Sequence, residues 1–490
     1  MNDGAAGGLP GREGSFMAGK QLAEVEHIVV LMLENRSFDH MLGFLYEDAA
    51  NISPRGDPFD GLSGQESNTD ASGAEVTVFK IDPAKPDAYF MPGGNPGEGY
   101  PATNLQLFGA DPAPAPAVAT NSGFVTNFAA TLKLDIARHR PVKPGTVPAD
   151  IMGIFTPEML PVLSGLARGY AVCDRWYCSV PTETIPNRAF VAAATSQGHL
   201  NDLTKSFTVP TIFGLLTAKG VGWKIYGYDK DALTRLDFPD TTGAPDANFG
   251  LFADFRADAA AGQLPGYAFL EPSWGSAGNS QHPNYDVALG EQLIHDVYRA
   301  LRDGPGWDRT LLIITYDEHG GCYDHVPPPT GALPPDRATG EYGFDFTRFG
   351  VRVPTVLVSP LIAAGTVFRV PAGFTPLDHT SILKTVETRW GLPSLTARDA
   401  AAPGVGDALT LDAPRDDDPL DGVSVPTSSG ANPAAGVPSH LEQVHAELVS
   451  QLPLSPEQRS TTPPLAGLKT PADYDDYIRT RTARWQASRS

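Results

Sequence analysis

The sequence predicts an α/β fold: a mostly parallel sheet covered by helices on both faces, with long loop excursions. Three observations carry this. The runs His27–Leu33 and Thr310–Tyr316 are continuously apolar, as strands buried on both faces are. Between the strands lie helical patterns, notably over 286–302, where Val287, Ile294, Val297 and Leu301 share one face. Ionisable clusters follow directly on the apolar runs: Glu34-Asn35 on the first, Asp317 to His319 on the second. In parallel sheets the residues just past the carboxyl ends of strands line the site, so chemistry is expected there.

In chain order, residues 1–24 are Gly-rich and polar and read as a flexible leader. The His27–Leu33 strand ends in Glu34-Asn35-Arg36-Ser37, and Phe38, Met41, Leu42 and Leu45 then recur at helical spacing, which opens a βα unit. Residues 46–125 carry Gly, Pro and Asn clusters, for example over 91–99, and read as an excursion over the domain. Phe90, Met91 and Phe108 in that excursion either pack it down or form an apolar rim. Trp223–Tyr228, Tyr267–Leu270 and Val353–Ser359 read as further strands. Alternation of strands and helices implies the parallel sheet. Residues 25–398 read as one catalytic domain. Residues 399–490 read as a Pro-rich linker or surface wrap over 400–440 followed by two short helical patterns, around 440–452 and 471–487, with no clear second-domain boundary.

Composition bounds the partners. The chain has 490 residues, 57 acidic against 36 basic, for a formal net charge of -21. Such a surface is a poor match for nucleic acid, which needs clustered Lys and Arg, and for anionic lipid. A zwitterionic or small phosphorylated substrate escapes much of that repulsion if the site itself holds a cation. Cys173, Cys178 and Cys322 do not make a disulfide framework and are expected as buried thiols. No run of 18 apolar residues exists, so no transmembrane segment is expected. No signal peptide is visible either, which points to the cytoplasm or to export by a signal that the chain does not show.

Four segments carry candidate chemistry. Glu34-Asn35 offers a carboxylate for a hard cation and an amide for a phosphoryl oxygen; a helix cap by Asn35 or Ser37 is the plain alternative. In Thr182-Glu183-Thr184-Ile185-Pro186-Asn187-Arg188, a proline and an Ala-rich run place Thr184 at a helix start. There the free N–H groups favour an anion and a hydroxyl can act as nucleophile, or Thr184 simply caps the helix. The run Asp317-Glu318-His319-Gly320-Gly321-Cys322-Tyr323-Asp324-His325 is costly to place for structure alone, and its carboxylates and imidazoles suit a divalent metal. His319 is its weakest member, since it can point outwards. Asp378-His379-Thr380-Ser381 opens another helix, where His379 is either a ligand, a proton donor or a surface residue. His282 stands alone in a loop.

Taken together these segments resemble the phosphoesterase family of phosphatidylcholine-type (non-specific) phospholipases C and related acid phosphatases. Glu34-Asn35-Arg36-Ser37-Phe38-Asp39 is similar to its first signature, and Thr184-Ile185-Pro186-Asn187-Arg188 to Thr-x-Pro-Asn-Arg. The run from Asp317 to Val326 and the Gly350-Val-Arg352-Val-Pro354 segment match two more. The resemblance implies an alkaline-phosphatase-like core and a metal-assisted phosphoric-ester hydrolase with Thr184 as nucleophile. It implies one or more divalent metal ions held by Glu34, Asn35, Asp317, Glu318 and Thr184. It further implies catalytic roles for Asn35, His282, His325 and His379, and substrate contacts from Asn35, Asn187 and Arg188. The implied substrate is a phospholipid, cleaved through a phospho-threonine intermediate, or alternatively a phosphomonoester.

Overall fold

The computed structural model describes residues 20–489, apart from 206, 338, 456, 459, 460 and 463. The leader expected over 1–24 lies mostly outside the described residues; Lys20–Glu24 form a short 3₁₀ turn with Leu22 packed into the core.

The eight strands of the main sheet are β1 (His27–Leu33), β2 (Ala171–Val172), β3 (Trp223–Gly227) and β4 (Phe249–Leu251). They continue with β5 (Tyr267–Glu271), β6 (Thr310–Tyr316), β7 (Thr355–Val358) and β8 (Thr366–Val367). Their spatial order is β8-β2-β7-β6-β1-β5-β3-β4. β1 is parallel to both β6 and β5, and β3 and β4 extend the parallel set. The mostly parallel sheet expected from the apolar runs is therefore present. Only β7 runs against the rest, antiparallel to β6 and β2. A run of buried apolar residues carries no direction, so the reversal was not readable.

Central position explains the composition of β1 and β6. Each is flanked by strands and covered above and below, so every residue of β6 and six of seven in β1 are buried. Two groups of helices cover the faces. In one, α8 (Val287–Arg302) packs on both α4 (Pro161–Gly169) and α7 (Phe252–Ala260). The second group is α5 (Thr184–Ala193), α6 (Ile212–Lys219) and α9 (Thr380–Trp390). α1 (Phe38–Leu42) follows β1.

The excursion over 46–125 is more ordered than its composition suggests. It holds a small antiparallel pair, Ser67–Thr69 with Glu75–Thr77, and α2 (Tyr100–Phe108), which packs on α3 (Phe124–Ala137). Phe90 and Met91 are buried and Phe108 packs on a secondary core, so these residues hold the excursion down and form no rim. All three cysteines are free and buried. The carboxy-terminal stretch wraps the body: Val405, Leu409 and Leu420 enter the main core, as do Leu441, Val444 and Leu448 around α10 (His440–Gln451). α11 (Pro471–Ala487) packs on α10 through Tyr477 and Ile478. Among the described residues no helix is long and apolar enough to cross a membrane.

Candidate active site

Leu33 of β1 pairs with Tyr316 of β6, so Glu34 and Asp317 leave the sheet side by side. Trp274 follows β5 at the same edge. A cleft of about 580 Å³ opens there, with Glu34, Asn35, Glu98, Glu183, Thr184, Asp202, Trp274 and His282 among its walls. Thr184 is the first residue of α5, and its hydroxyl donates to Asn35 Oδ1 at 3.0 Å. The same amide donates from Nδ2 to Glu98 Oε2 at 2.6 Å, and His282 Nε2 lies 3.7 Å from that oxygen.

Asn35 is held in the left-handed region at φ +56°, and its backbone N–H is tied to Asp317 Oδ1 at 3.0 Å. Asn and Gly are the residues that reach this region at low cost. Gly320 and Gly321 also have positive φ, so the two glycines do allow the turn expected after β6.

Thr184 does not cap its helix. Glu183 holds the N-cap position, and the Thr184 hydroxyl points to Asn35. The helix N-terminus is not free for an anion either: Asp202 Oδ1 accepts from the Ile185 N–H at 2.6 Å. This corrects the expectation that helix N–H groups receive the phosphoryl group. A protein carboxylate already fills that place, so the charge on a phosphoryl oxygen has to be met otherwise.

The cleft is rich in carboxylates and poor in cations. Burial, followed by the charge of Asp317, pushes Glu34 up to about 8. Burial, then Glu183 and Asp202, holds Glu98 well above the usual carboxylate range. Glu183 and Asp202 are each pushed up to about 7, again chiefly by burial. Glu34 Oε2 and Glu318 Oε1 are buried with no hydrogen-bond partner among the described residues. Oxygens stripped of water and left unpaired are costly; a proton, which the raised pKa values favour, or a hard divalent cation satisfies them. Glu34 and the Asn35 amide oxygen, both in the cleft wall, are oxygen donors of the type such a cation takes, and Glu318, outside the cleft lining, offers a third of the same type.

The other residues singled out are placed as follows. Asp317 does not line the cleft; its Oδ1 accepts from the N–H groups of Asn35 and Glu318, and its Oδ2 from Arg188 Nε at 2.9 Å. Arg188 also donates to the carbonyls of Met32 and Leu33 and stacks 4.5 Å over Trp274, leaving Nη1 unpartnered. Asn187 accepts from Val180 N–H and donates to three carbonyls, of Val180, Thr182 and Glu183. It braces the loop before α5 and has no group left for a substrate. His379 accepts at Nδ1 from Trp176 Nε1, so Nε2 carries the proton and donates to the Asp317 carbonyl at 2.6 Å. Both nitrogens are thus occupied beneath the site. His319 turns inward, contrary to the outward reading: it is fully buried, with Nε2 against Gln106 Oε1 at 2.7 Å.

His325 stands in a separate network. Its Nδ1 meets Asp39 Oδ2 at 2.6 Å, while Arg352 donates to Asp39 at 2.8 Å and to Asp324 at 2.9 Å. Burial alone would lower the imidazole, but Asp39 outweighs it and the pKa is raised. Asp39, Asp324 and His325 present ligand atoms within 4.8 Å of one another. The single Arg352 guanidinium bridges both carboxylates and His325 is the second partner of Asp39, so this trio and Arg352 tie α1 to the loop after β6.

Sequence reasoning missed Glu98, Asp202 and the wall formed by residues 434–443, including His440. Glu98 and Asp202 come from loops whose path is set by packing at long range, with no local spacing to mark them. Glu183, adjacent to Thr184, was the one reachable from the motif.

Comparison with known proteins places the chain. The model of the Phosphoesterase family matches residues 25–393. Non-specific phospholipase C1 of Arabidopsis thaliana is 38% identical over 423 residues, covering 81% of this chain and 73% of that protein. Phospholipase C A of Mycobacterium tuberculosis is 28% identical over 423 residues, covering 76% and 74%. Among solved structures, a protein in the alkaline phosphatase superfamily from Vibrio parahaemolyticus is 14% identical with a TM-score of 0.31, covering 50% of this chain and 64% of that one.

Proposed function

The chain belongs to the Phosphoesterase family and is a phosphoric-ester hydrolase, and we propose that it is a phospholipase C that works through Thr184. On this reading it releases diacylglycerol and a phosphorylated headgroup. The observation that carries it is the Thr184 hydroxyl, held at 3.0 Å by Asn35 in a cleft rich in buried carboxylates. Relatives named non-specific phospholipases C at 35–38% identity support the diester substrate.

Glu34, Glu318 and Asn35 would hold a divalent cation, with Thr184 at its edge and Asp317 fixing the backbone between them. Such an ion, when bound, lowers the pKa of a neighbouring hydroxyl and offsets charge on phosphoryl oxygens. Thr184 Oγ1 attacks phosphorus in line. Its proton passes to His282, whose Nδ1 donates to the Pro283 carbonyl at 3.0 Å and whose Nε2 is therefore the open nitrogen. The bond from phosphorus to the glycerol oxygen breaks, and the proton on His282 leaves with the alcohol. Water then attacks the phospho-threonine, and its proton restores the Thr184 hydroxyl. Burial pulls the His282 imidazole down to about 3, so it is neutral before the reaction, and once protonated it gives the proton up readily to the leaving alcohol.

The test is hydrolysis of para-nitrophenyl phosphorylcholine and para-nitrophenyl phosphate, by wild type and Thr184→Ala, before and after EDTA. The expected result is diester turnover that falls about 10³-fold or more in Thr184→Ala and is lost on chelation. Preference for the monoester would move the assignment to a phosphatase. Near-normal rates in Thr184→Ala would overturn the nucleophile.

A further inference from the structure

The family model ends at residue 393, yet a wall of the cleft is built from residues 434–443. That segment is anchored. Asn432 Nδ2 donates to the Ser276 carbonyl at 2.6 Å, and the Ser428 hydroxyl to Asp286. Ser439 and Glu442 then form a reciprocal cap that starts α10, with Leu441 in the main core. Next to it stands the 201–204 loop, tied to α10 by a hydrogen bond from the Thr204 hydroxyl to Glu447. Leu203 and Val437 project from these two segments into the cleft mouth. Their exposures are 64% and 43%, high for large apolar side chains. Pro438 and the half-apolar Trp274 continue the surface inward.

Single exposed apolar side chains are ordinary. A pair from two segments, bordering one cleft that contains the proposed nucleophile, is a substrate-shaped arrangement. The inner cleft is carboxylate-rich and suits a headgroup phosphate only together with a cation; the outer lining sets Leu203, Val437 and Pro438 among polar groups such as Asn201, Arg140 and His440. A molecule that matches both ends has a phosphodiester at one end and acyl chains at the other. The surface charge selects among such molecules, since -21 repels anionic bilayers.

We propose that Leu203 and Val437 form the subsite for the acylglycerol part of a glycerophospholipid, and that they engage the surface of a zwitterionic bilayer. This rests on the phospholipase C reading. The residues act on the leaving group and its lipid surroundings and take no part in bond making. On this basis the carboxy-terminal segment, outside the family-matched span, contributes Val437 to the selectivity for lipid over soluble ester, alongside Leu203 from within that span.

The experiment compares wild type with Leu203→Asp, Val437→Asp and the pair. Turnover is measured on phosphatidylcholine vesicles and on para-nitrophenyl phosphorylcholine, and binding by co-sedimentation with the same vesicles. Both side chains are exposed, so a charge there does not disturb the core. The expected result is a ratio of lipid to soluble turnover that falls about tenfold or more in the double variant, with loss of vesicle binding. Leu203→Ala with Val437→Ala should give a smaller fall in the same direction. An unchanged ratio in the double aspartate variant, with wild type active on lipid, would overturn the subsite and leave the phospholipase C reading intact. Wild type active only on para-nitrophenyl phosphate would overturn both.

Discussion

Gly320 shows how tightly the nucleophile's partner is held. A Cβ on Gly320 would lie 2.0 Å from the Asn35 carbonyl oxygen, and its φ of +61° is a conformation side chains avoid. Asn35 in turn fixes the Thr184 hydroxyl. Gly331 has φ +86° but nothing within 4 Å, so it isolates the backbone cost from the contact. Gly320→Ala is expected to destabilise by about 2–4 kcal/mol, against ~1 kcal/mol for Gly331→Ala. Urea midpoints check this, and diester turnover should fall in the first variant only. Equal costs would mean that strain alone matters and that the Asn35 contact is soft. Glu34, Asn35 and Thr184 were readable because each borders a strand end or a helix start, where the local pattern marks position. Glu98 could not be read that way: its place beside Asn35 depends on how an 80-residue excursion folds back.

At the scale of elements, the strands at 27–33 and 310–316 and the helix at 471–487 stand where the apolar and helical patterns put them. Patterning reports burial and period, so it finds such elements and misses the reversed direction of β7. It also misses what a polar residue does inside a helix. His445 on α10 is fully buried, and neither ring nitrogen has a hydrogen-bond partner among the described residues. Burial, with a smaller push from Lys230, pulls its pKa from 6.5 to about 3. The folded protein therefore favours the neutral ring, while the unfolded chain takes up a proton near pH 6.5. Its contribution is complete above pH 6.5 and is lost as pH falls toward 3, by up to ~1.4 kcal/mol per unit. His445→Leu is expected to remove that slope, so between pH 6.5 and 5 the variant should gain about 2 kcal/mol on wild type. Denaturant midpoints at the two pH values measure it. A constant difference would show that the ring protonates in place.

At the scale of the whole molecule the sequence divides the chain into 25–398 and a Pro-rich stretch, linker or surface wrap, that follows it. A Pro-rich composition over 400–440 looks like a linker because composition records turns and not what lies beneath them. Val405, Leu409, Leu420, Leu441, Val444 and Leu448 all sit in the same core as the strands of the main sheet. Burying an aliphatic side chain of this size is worth about 1.5–3 kcal/mol, so these six contribute ~10–20 kcal/mol. The net stability of a folded domain is about 5–15 kcal/mol, a quantity of the same order. Removing residues 399–490 should therefore cost the fold as well as one wall of the cleft. A chain ending at residue 398 is expected to aggregate or to bind a hydrophobic dye, with no cooperative thermal transition. A shorter deletion, ending at 469 to remove only α11, should fold with a lowered midpoint, since α11 packs on α10 and away from the sheet. If the 398 chain were soluble, cooperative and active on para-nitrophenyl phosphorylcholine, the carboxy-terminal stretch would be a dispensable wrap. The cleft would then be complete within the family-matched span.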